Sequence, residues 1–216
     1  MTDESRLLAV EGVRFFGEMS ASVSHEIKNV LAIIKENAGL LQDMLGMNAK
    51  GIPLDPERLA RMAQSIDRQV ARGDGIVRNL NRFAHSADHP SETVDVHETI
   101  RFVLDLAARL IVMKGRPPRF ELAAEPMTVV TNRFFLERLV WACLHRAMDA
   151  CAPEKTISVI AQKADAAVRI RFQGLAETFF TAGAPFPSPG EAAVGRMIGA
   201  RLTADEKTKE IVIVIS

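Results

Sequence analysis

The stretch that decides the fold is Ser22-Val23-Ser24-His25-Glu26-Ile27-Lys28-Asn29-Val30-Leu31. Its apolar residues Val23, Ile27 and Val30 follow steps of four and three. The same rhythm runs outward through Phe16 on one side and Ile34, Leu41 and Met44 on the other. Such a repeat is close to about 3.5 residues, the period of a bundle or coiled-coil seam. Leu31, Ala38 and Leu45 widen the stripe, as a bundle helix requires. The pattern predicts one long helix over 5–45. With the seam turned inward, His25 points outward, and Ser22, Glu26 and Asn29 surround it on the polar side.

Beyond this helix, 46–56 holds two Gly and two Pro and reads as a turn. Asp55 can cap a second helix, with Pro56 at its first position. Leu59, Met62, Ile66, Val70, Val77, Leu80 and Ala84 continue at near-heptad spacing over 56–85. Gly73 sits on the same seam, where a small residue permits close approach. The two helices form an antiparallel hairpin. Two amphipathic helices alone bury little surface, so each seam needs a partner. The length of the stripe favours a homodimer in which two hairpins build a four-helix bundle. Packing of both helices on the downstream part of the same chain is the competing arrangement.

The segment 87–94 is polar and contains Pro90, so it reads as a linker and sets a domain boundary after residue 88. Past it the pattern is mixed. A helix is predicted over 96–113, short strands over 120–122 and 127–130, and a helix over 132–150 with Phe135, Leu139, Ala142, Cys143 and Met148 on its apolar side. Alternation predicts paired strands over 156–161 and 167–172. A loop over 174–189, a helix over 191–202 and a last strand over 211–215 complete the chain. The expected fold class is α+β, with a helical hairpin over 1–88 and an α/β sandwich over 89–216.

Composition narrows the function. The 216 residues carry 27 Lys+Arg and 27 Asp+Glu, a net charge of zero, which removes the usual electrostatic reason to expect a nucleic-acid partner. Cys143 and Cys151, both in one helical segment, argue against a disulfide framework. No apolar run is long enough for a bilayer, and the first residues do not read as a signal peptide, so a cytoplasmic location without membrane contact is expected. His85, His89 and His97 cluster in sequence without the Cys or carboxylates that would complete a metal site. His145, on a mostly apolar helix, reads as a packed or partly exposed histidine.

An outward imidazole beside a carboxylate has a chemistry of its own. Imidazole is largely neutral at pH 7, and a neutral ring nitrogen can attack a phosphoryl group. Glu26 could orient the ring or accept a proton. Residue types alone leave a solvated helix face as the bland alternative. The segment SVSHEIKNVLAIIKENAGLL resembles the phosphoacceptor helix of sensor histidine kinases, matching their motif at His25, Glu26, Ile27, Lys28, Asn29 and Leu31, with Val30 where the family usually has Pro. The segment RGDGIVRNLNRFAH is similar to the returning helix of the same hairpin. The resemblance implies that His25 is the phosphorylated residue and Glu26 its acid–base neighbour. It implies that Asn29 sits where the family positions a water for dephosphorylating a partner. Ser22 and Lys28 are then expected to contact that partner.

The order of elements after residue 88 resembles the ATP-binding domain of the same family. That resemblance also exposes departures. Arg146 stands where the metal-coordinating Asn would be, and Ala142 stands at another common Asn position. A cation there opposes Mg²⁺. After the strand, Gln173-Gly174-Leu175-Ala176-Glu177 lacks the adenine-binding Asp and paired glycines. Gly190, Gly195 and Gly199 do not make a tight Gly-x-Gly loop. The domain is therefore expected to be a degenerate ATP-binding fold that binds neither ATP nor a metal of its own. The implied function is a dimeric histidine phosphotransferase of a phosphorelay. It takes a phosphoryl group from one response-regulator receiver domain on His25 and passes it to another, with Mg²⁺ supplied by the receiver. A non-catalytic pseudokinase that binds a receiver is the first alternative, and a divergent active kinase the second.

Overall fold

The structure is a computed structural model that describes residues 2–121, 126–181 and 185–216. Leu122, the end of one predicted strand, and residues 182–184 of the predicted loop lie outside the described residues. The chain divides into two compact units, Ser20–Arg82 and Met1–Met19 with Phe83–Ser216.

The first unit is built from two helices, α1 (Asp3–Asn48) and α2 (Pro56–His85), whose outer ends belong to the second unit. Asp55 starts α2 as the sequence requires, its Oδ1 accepting from the N–H groups of Glu57 at 3.0 Å and Arg58 at 3.2 Å. Val23, Val30, Met44 and Met62 are buried in the seam. Gly73 permits the close approach its position suggested, since a methyl group there would stand 3.3 Å from Val30 Cγ1. Asn37 adds a polar tie between the helices, donating from Nδ2 to Ser65 Oγ at 3.4 Å. Val70 and Val77, expected in the seam, are instead exposed together with Leu31 and Leu45. One hairpin has too narrow a contact line to cover a stripe that wide.

The second unit contains β1 (Glu92–Asp95), α3 (Val96–Leu106), α4 (Ala108–Met113), β2 (Arg119–Glu121), β3 (Thr128–Thr131) and α5 (Arg133–Asp149). It continues with β4 (Ser158–Ala164), β5 (Ala167–Gln173), α6 (Thr178–Thr181), α7 (Pro189–Met197), β6 (Ala200–Asp205) and β7 (Glu210–Ile215). Five strands form one sheet in the order β2-β4-β5-β7-β6, parallel only between β2 and β4. Strands β1 and β3 pair separately and antiparallel. Burial alternates on two of the central strands, at Val159 and Ala161 on β4 and at Val168, Ile170 and Phe172 on β5, whereas β7 is buried at Glu210, Ile211, Val212, Ile213 and Ile215. Period-two burial of this kind marks a sheet with one face packed on a core. Helix α5, packed with α3, α7 and the sheet, supplies Leu136, Leu139, Cys143, Leu144 and Ala147. Asn132 caps α5 by accepting from the Phe135 N–H at 3.0 Å.

Three sequence expectations change here. The predicted linker over 87–94 ends in β1, whose residues pair with β3 in register Glu92 to Thr131. The predicted helix over 96–113 breaks at Ala107 into α3 and α4. The predicted helix over 191–202 stops at Met197, and Leu202 belongs to β6. Two glycines make that reversal possible. Gly199 takes a φ of +68°, and a side chain at Gly195 would meet the Ala200 carbonyl oxygen at 2.9 Å.

The outer ends of the hairpin helices join this unit through aromatic rings. Phe15 meets Phe83 edge-on with centroids 5.2 Å apart, and both contact Phe134 of α5, at 5.5 and 5.8 Å. Phe15 rather than Phe16 is the buried residue of the pair; Phe16 stays half-exposed and stacks on Phe83 at 5.5 Å. Sequence periodicity placed Phe16 inward because it follows a single seam, whereas the start of α1 packs on a different partner.

Arg133 fastens β1 to α5 through a two-point bond to Glu92, Nε to Oε1 at 2.7 Å and Nη2 to Oε2 at 3.3 Å. The bond to the guanidinium holds the Glu92 carboxyl below the usual carboxylate range. A carboxyl with a lowered folded-state pKa contributes stability that is complete above the ordinary carboxylate range and fades as pH falls through it. Glu92→Gln is expected to lower unfolding free energy by about 0.5–1 kcal/mol at pH 7, since the pair is partly exposed and screened. In urea titrations, that gap should begin to narrow as pH falls below about 4 and close once it has passed below the lowered folded-state value of Glu92. A gap that persists unchanged in acid would show that the pair is not its source.

Candidate functional site

The seam fixes which residues α1 offers to solvent. With Val23 and Val30 buried, His25, Lys28 and Asn29 are exposed on the opposite side of the helix. These three share a face within little more than one turn, as expected from the sequence. Ser22 does not join them. It is 2% exposed and its hydroxyl is turned into the hairpin, so its expected place on the polar side is corrected. The reason is geometric: Ser22 stands next to Val23 at the edge of the seam, and its small side chain is covered. A buried hydroxyl cannot make the partner contact expected of Ser22.

Glu26 also sits differently from its expected outward position. Its side chain is 15% exposed and pairs with Arg72 of α2, Oε2 to Nη2 at 3.3 Å. The carboxylate beside His25 is thus held by a cation from the other helix. Arg72 is the residue that sequence reading missed. Its signal was present as a basic residue adjacent to Gly73 on the returning helix, but only the pairing of the two helices brings it to Glu26. Chemically, the site presents an accessible imidazole on a rigid helix, a cation and an amide alongside it, and a carboxylate with a fixed partner. An imidazole so placed can approach a phosphorus atom in line.

The positions singled out in the second unit are engaged with its own residues. Arg146 donates from Nε to Glu191 Oε1 at 3.2 Å and from Nη1 to the Pro185 carbonyl at 3.4 Å, and its guanidinium lies 5.6 Å from the Phe186 ring centroid. Glu191 is 6% exposed and also accepts the Ser188 N–H at 2.7 Å, closing a capping box at the start of α7. After β5, the N–H groups of Gly174 and Leu175 both donate to the Lys209 carbonyl, at 3.3 and 3.2 Å. Gln173 donates to Glu210 Oε2 at 2.8 Å. A polar cleft of about 380 Å³ lies along α5, lined by Glu18, Arg138, Trp141, His145, Arg146 and Glu191 among others. The start of α1 fills one side of it: Glu18 accepts from Trp141 Nε1 at 3.0 Å, and Glu11 pairs with Arg138. His145 is partly exposed, one of the two states its sequence position allowed, lies against Trp141 and faces Asp149 at 3.4 Å. Among the described residues, no group of three or more His, Cys, Asp or Glu could hold a metal ion, and no helix is long and apolar enough to cross a membrane.

The described residues thus form a helical hairpin with an exposed histidine, followed by a sheet-and-helix domain. Residues 17–88, a third of the chain, match the model of the His Kinase A (phospho-acceptor) domain. Among solved structures, the chain is similar to histidine kinase AdeS of Acinetobacter baumannii, with 16% identity over 89% of this chain and 97% of that one and a TM-score of 0.46. It is also similar to a bacterial phosphotransferase, with 13% identity over 92% and 94% of the two chains and a TM-score of 0.45. The catalytic domain of histidine kinase ThkA matches with 17% identity over 58% of this chain and 94% of that one, TM-score 0.45. No curated protein sequence gave a significant match.

The Glu26–Arg72 pair is testable by a double-mutant cycle. Arg72→Ala and Glu26→Gln should each lower the stability of the hairpin by a few tenths to about 1 kcal/mol, and the double variant by little more than either alone. Fully additive losses in urea unfolding would show that the two side chains do not act on each other.

Proposed function

We propose that this protein is a histidine phosphotransferase of a two-component phosphorelay. A ring nitrogen of His25 attacks the phosphorus of an aspartyl phosphate on a receiver domain, the P–O bond to the aspartate breaks, and the carboxylate leaves. The reverse step hands the phosphoryl group from His25 to the aspartate of a second receiver. The receiver brings Mg²⁺ and the acidic pocket, so this chain need only present the imidazole. One observation carries the reading: His25 stands exposed on the segment that matches a phosphoacceptor domain. Lys28 and Asn29 share that face and are placed to contact the receiver, and Asn29 is placed to orient a water on it. Glu26, held by Arg72, acts as the positioning neighbour of the ring.

The engagement of Arg146 supports transfer from a receiver over ATP-dependent kinase activity. Its guanidinium is committed to a nearly buried carboxylate, and a fixed positive charge at that position repels a divalent cation. The exposed stripe of Leu31, Leu45, Val70 and Val77 supports a second copy of the hairpin as its cover, giving a homodimeric four-helix bundle.

The test is transfer. A phosphorylated receiver domain from the same genome should label wild-type protein in an acid-labile form, and His25→Ala should abolish the label while preserving the helical content seen by circular dichroism. Light scattering should give the mass of a dimer. Labelling of His25→Ala at the wild-type level would sink the assignment of the acceptor. Failure of every receiver to label wild type would favour a protein that binds receivers without chemistry.

A further inference from the structure

A second cleft, of about 300 Å³, lies between the turn after α4 and the turn after α5. Lys114 and Arg116 line it from the first turn, and Cys151 and Lys155 from the second; Met148 and Ile157 supply an apolar floor. No carboxylate lines it. Asp149, lining the neighbouring cleft along α5, pairs with Lys114 and offsets one of the three cations. The remaining charge is positive, in a chain whose net charge is zero.

Arg116 is fixed in place at this cleft. Arg116 Nη1 donates to the Lys155 carbonyl at 3.0 Å, and the Cys151 thiol donates to the same oxygen at 3.3 Å. One carbonyl thus gathers the guanidinium and the thiol at the cleft. Arg116 keeps further N–H donors beyond that bond. A pocket of this size, with an apolar floor and a few convergent polar groups, is the usual form of a small-molecule site. A guanidinium fork with ammonium groups beside it matches a phosphate better than a single carboxylate.

We infer that this cleft binds a small organic phosphate, a phosphate monoester whose apolar body rests on Met148 and Ile157 and whose oxygens meet Arg116, Lys155 and Lys114. The site uses neither His25 nor any residue that lines the cleft containing Arg146, so it stands whatever the fate of the phosphotransferase reading. Its role is recognition of a ligand and not chemistry on it.

Cys151 is a built-in reporter. The other cysteine, Cys143, is fully buried, and burial pushes its thiol pKa up, which leaves it inert. The full-length protein is treated with N-ethylmaleimide, and modification of Cys151 is followed by mass spectrometry at constant ionic strength. Phenyl phosphate should slow the reaction several-fold and saturably, and inorganic phosphate should do so more weakly. Arg116→Gln and Lys155→Gln should each raise the half-protecting concentration by roughly tenfold, the expected effect of losing one charge-assisted hydrogen bond. Calorimetric titration of phenyl phosphate into the same proteins is the second readout, should the thiol react too slowly. Absence of saturable protection and of binding heat would overturn the proposal. So would equal protection by phenol or benzoate, or undiminished affinity in both variants.

Discussion

Burial of Val23 and Val30 against α2 is the constraint from which the site follows. A helix has one side to give to a seam, and spending it on these two residues leaves His25, Lys28 and Asn29 on the other. Gly73 makes the contact close enough to matter, because any larger residue would press on Val30. The same closeness brings Arg72 within reach of Glu26, so the packing that exposes the histidine also fixes its neighbouring carboxylate. A looser hairpin would leave Glu26 free to swing, and the ring beside it without a fixed electrostatic surrounding.

The second unit uses charge in the opposite way. There a cation and a carboxylate are drawn inward and satisfied by each other: Arg146 with Glu191, and Glu191 again with the start of α7. Removing one member would strand the other in a covered place, which is why such pairs, once present, are costly to abandon. In the proposed reading, polar groups so occupied are not available to a metal–nucleotide complex. On the same reading the unit's contribution is to the docking of partners, and the cleft bearing Lys114, Arg116 and Lys155 is its own ligand site.

Much of this was legible in the residues. The seven-residue rhythm gave both hairpin helices almost to their ends, and Asp55-Pro56 marked the start of the second. The alternation in 156–161 and 167–172 found the central strands. What escaped was whatever depends on pairing across distance. Glu92 to Asp95 is too polar to announce a strand, and becomes one only because Thr128 to Thr131 lies beside it. Ala200 to Asp205 extends a helical pattern that the positive φ of Gly199 cuts off. Ser22 read as polar and therefore outward, yet a small hydroxyl at a seam edge is readily covered. Arg72 had no visible role until the helices were laid together.

The claim that a receiver, and not ATP, charges His25 is tested most directly by giving the protein Mg²⁺ and γ-labelled ATP alone, then a phosphorylated receiver alone, and counting acid-labile phosphate on His25 in each. The account predicts label only in the second tube. Stoichiometric labelling of His25 from Mg-ATP in the first would contradict it and make the protein a kinase with an unorthodox nucleotide site.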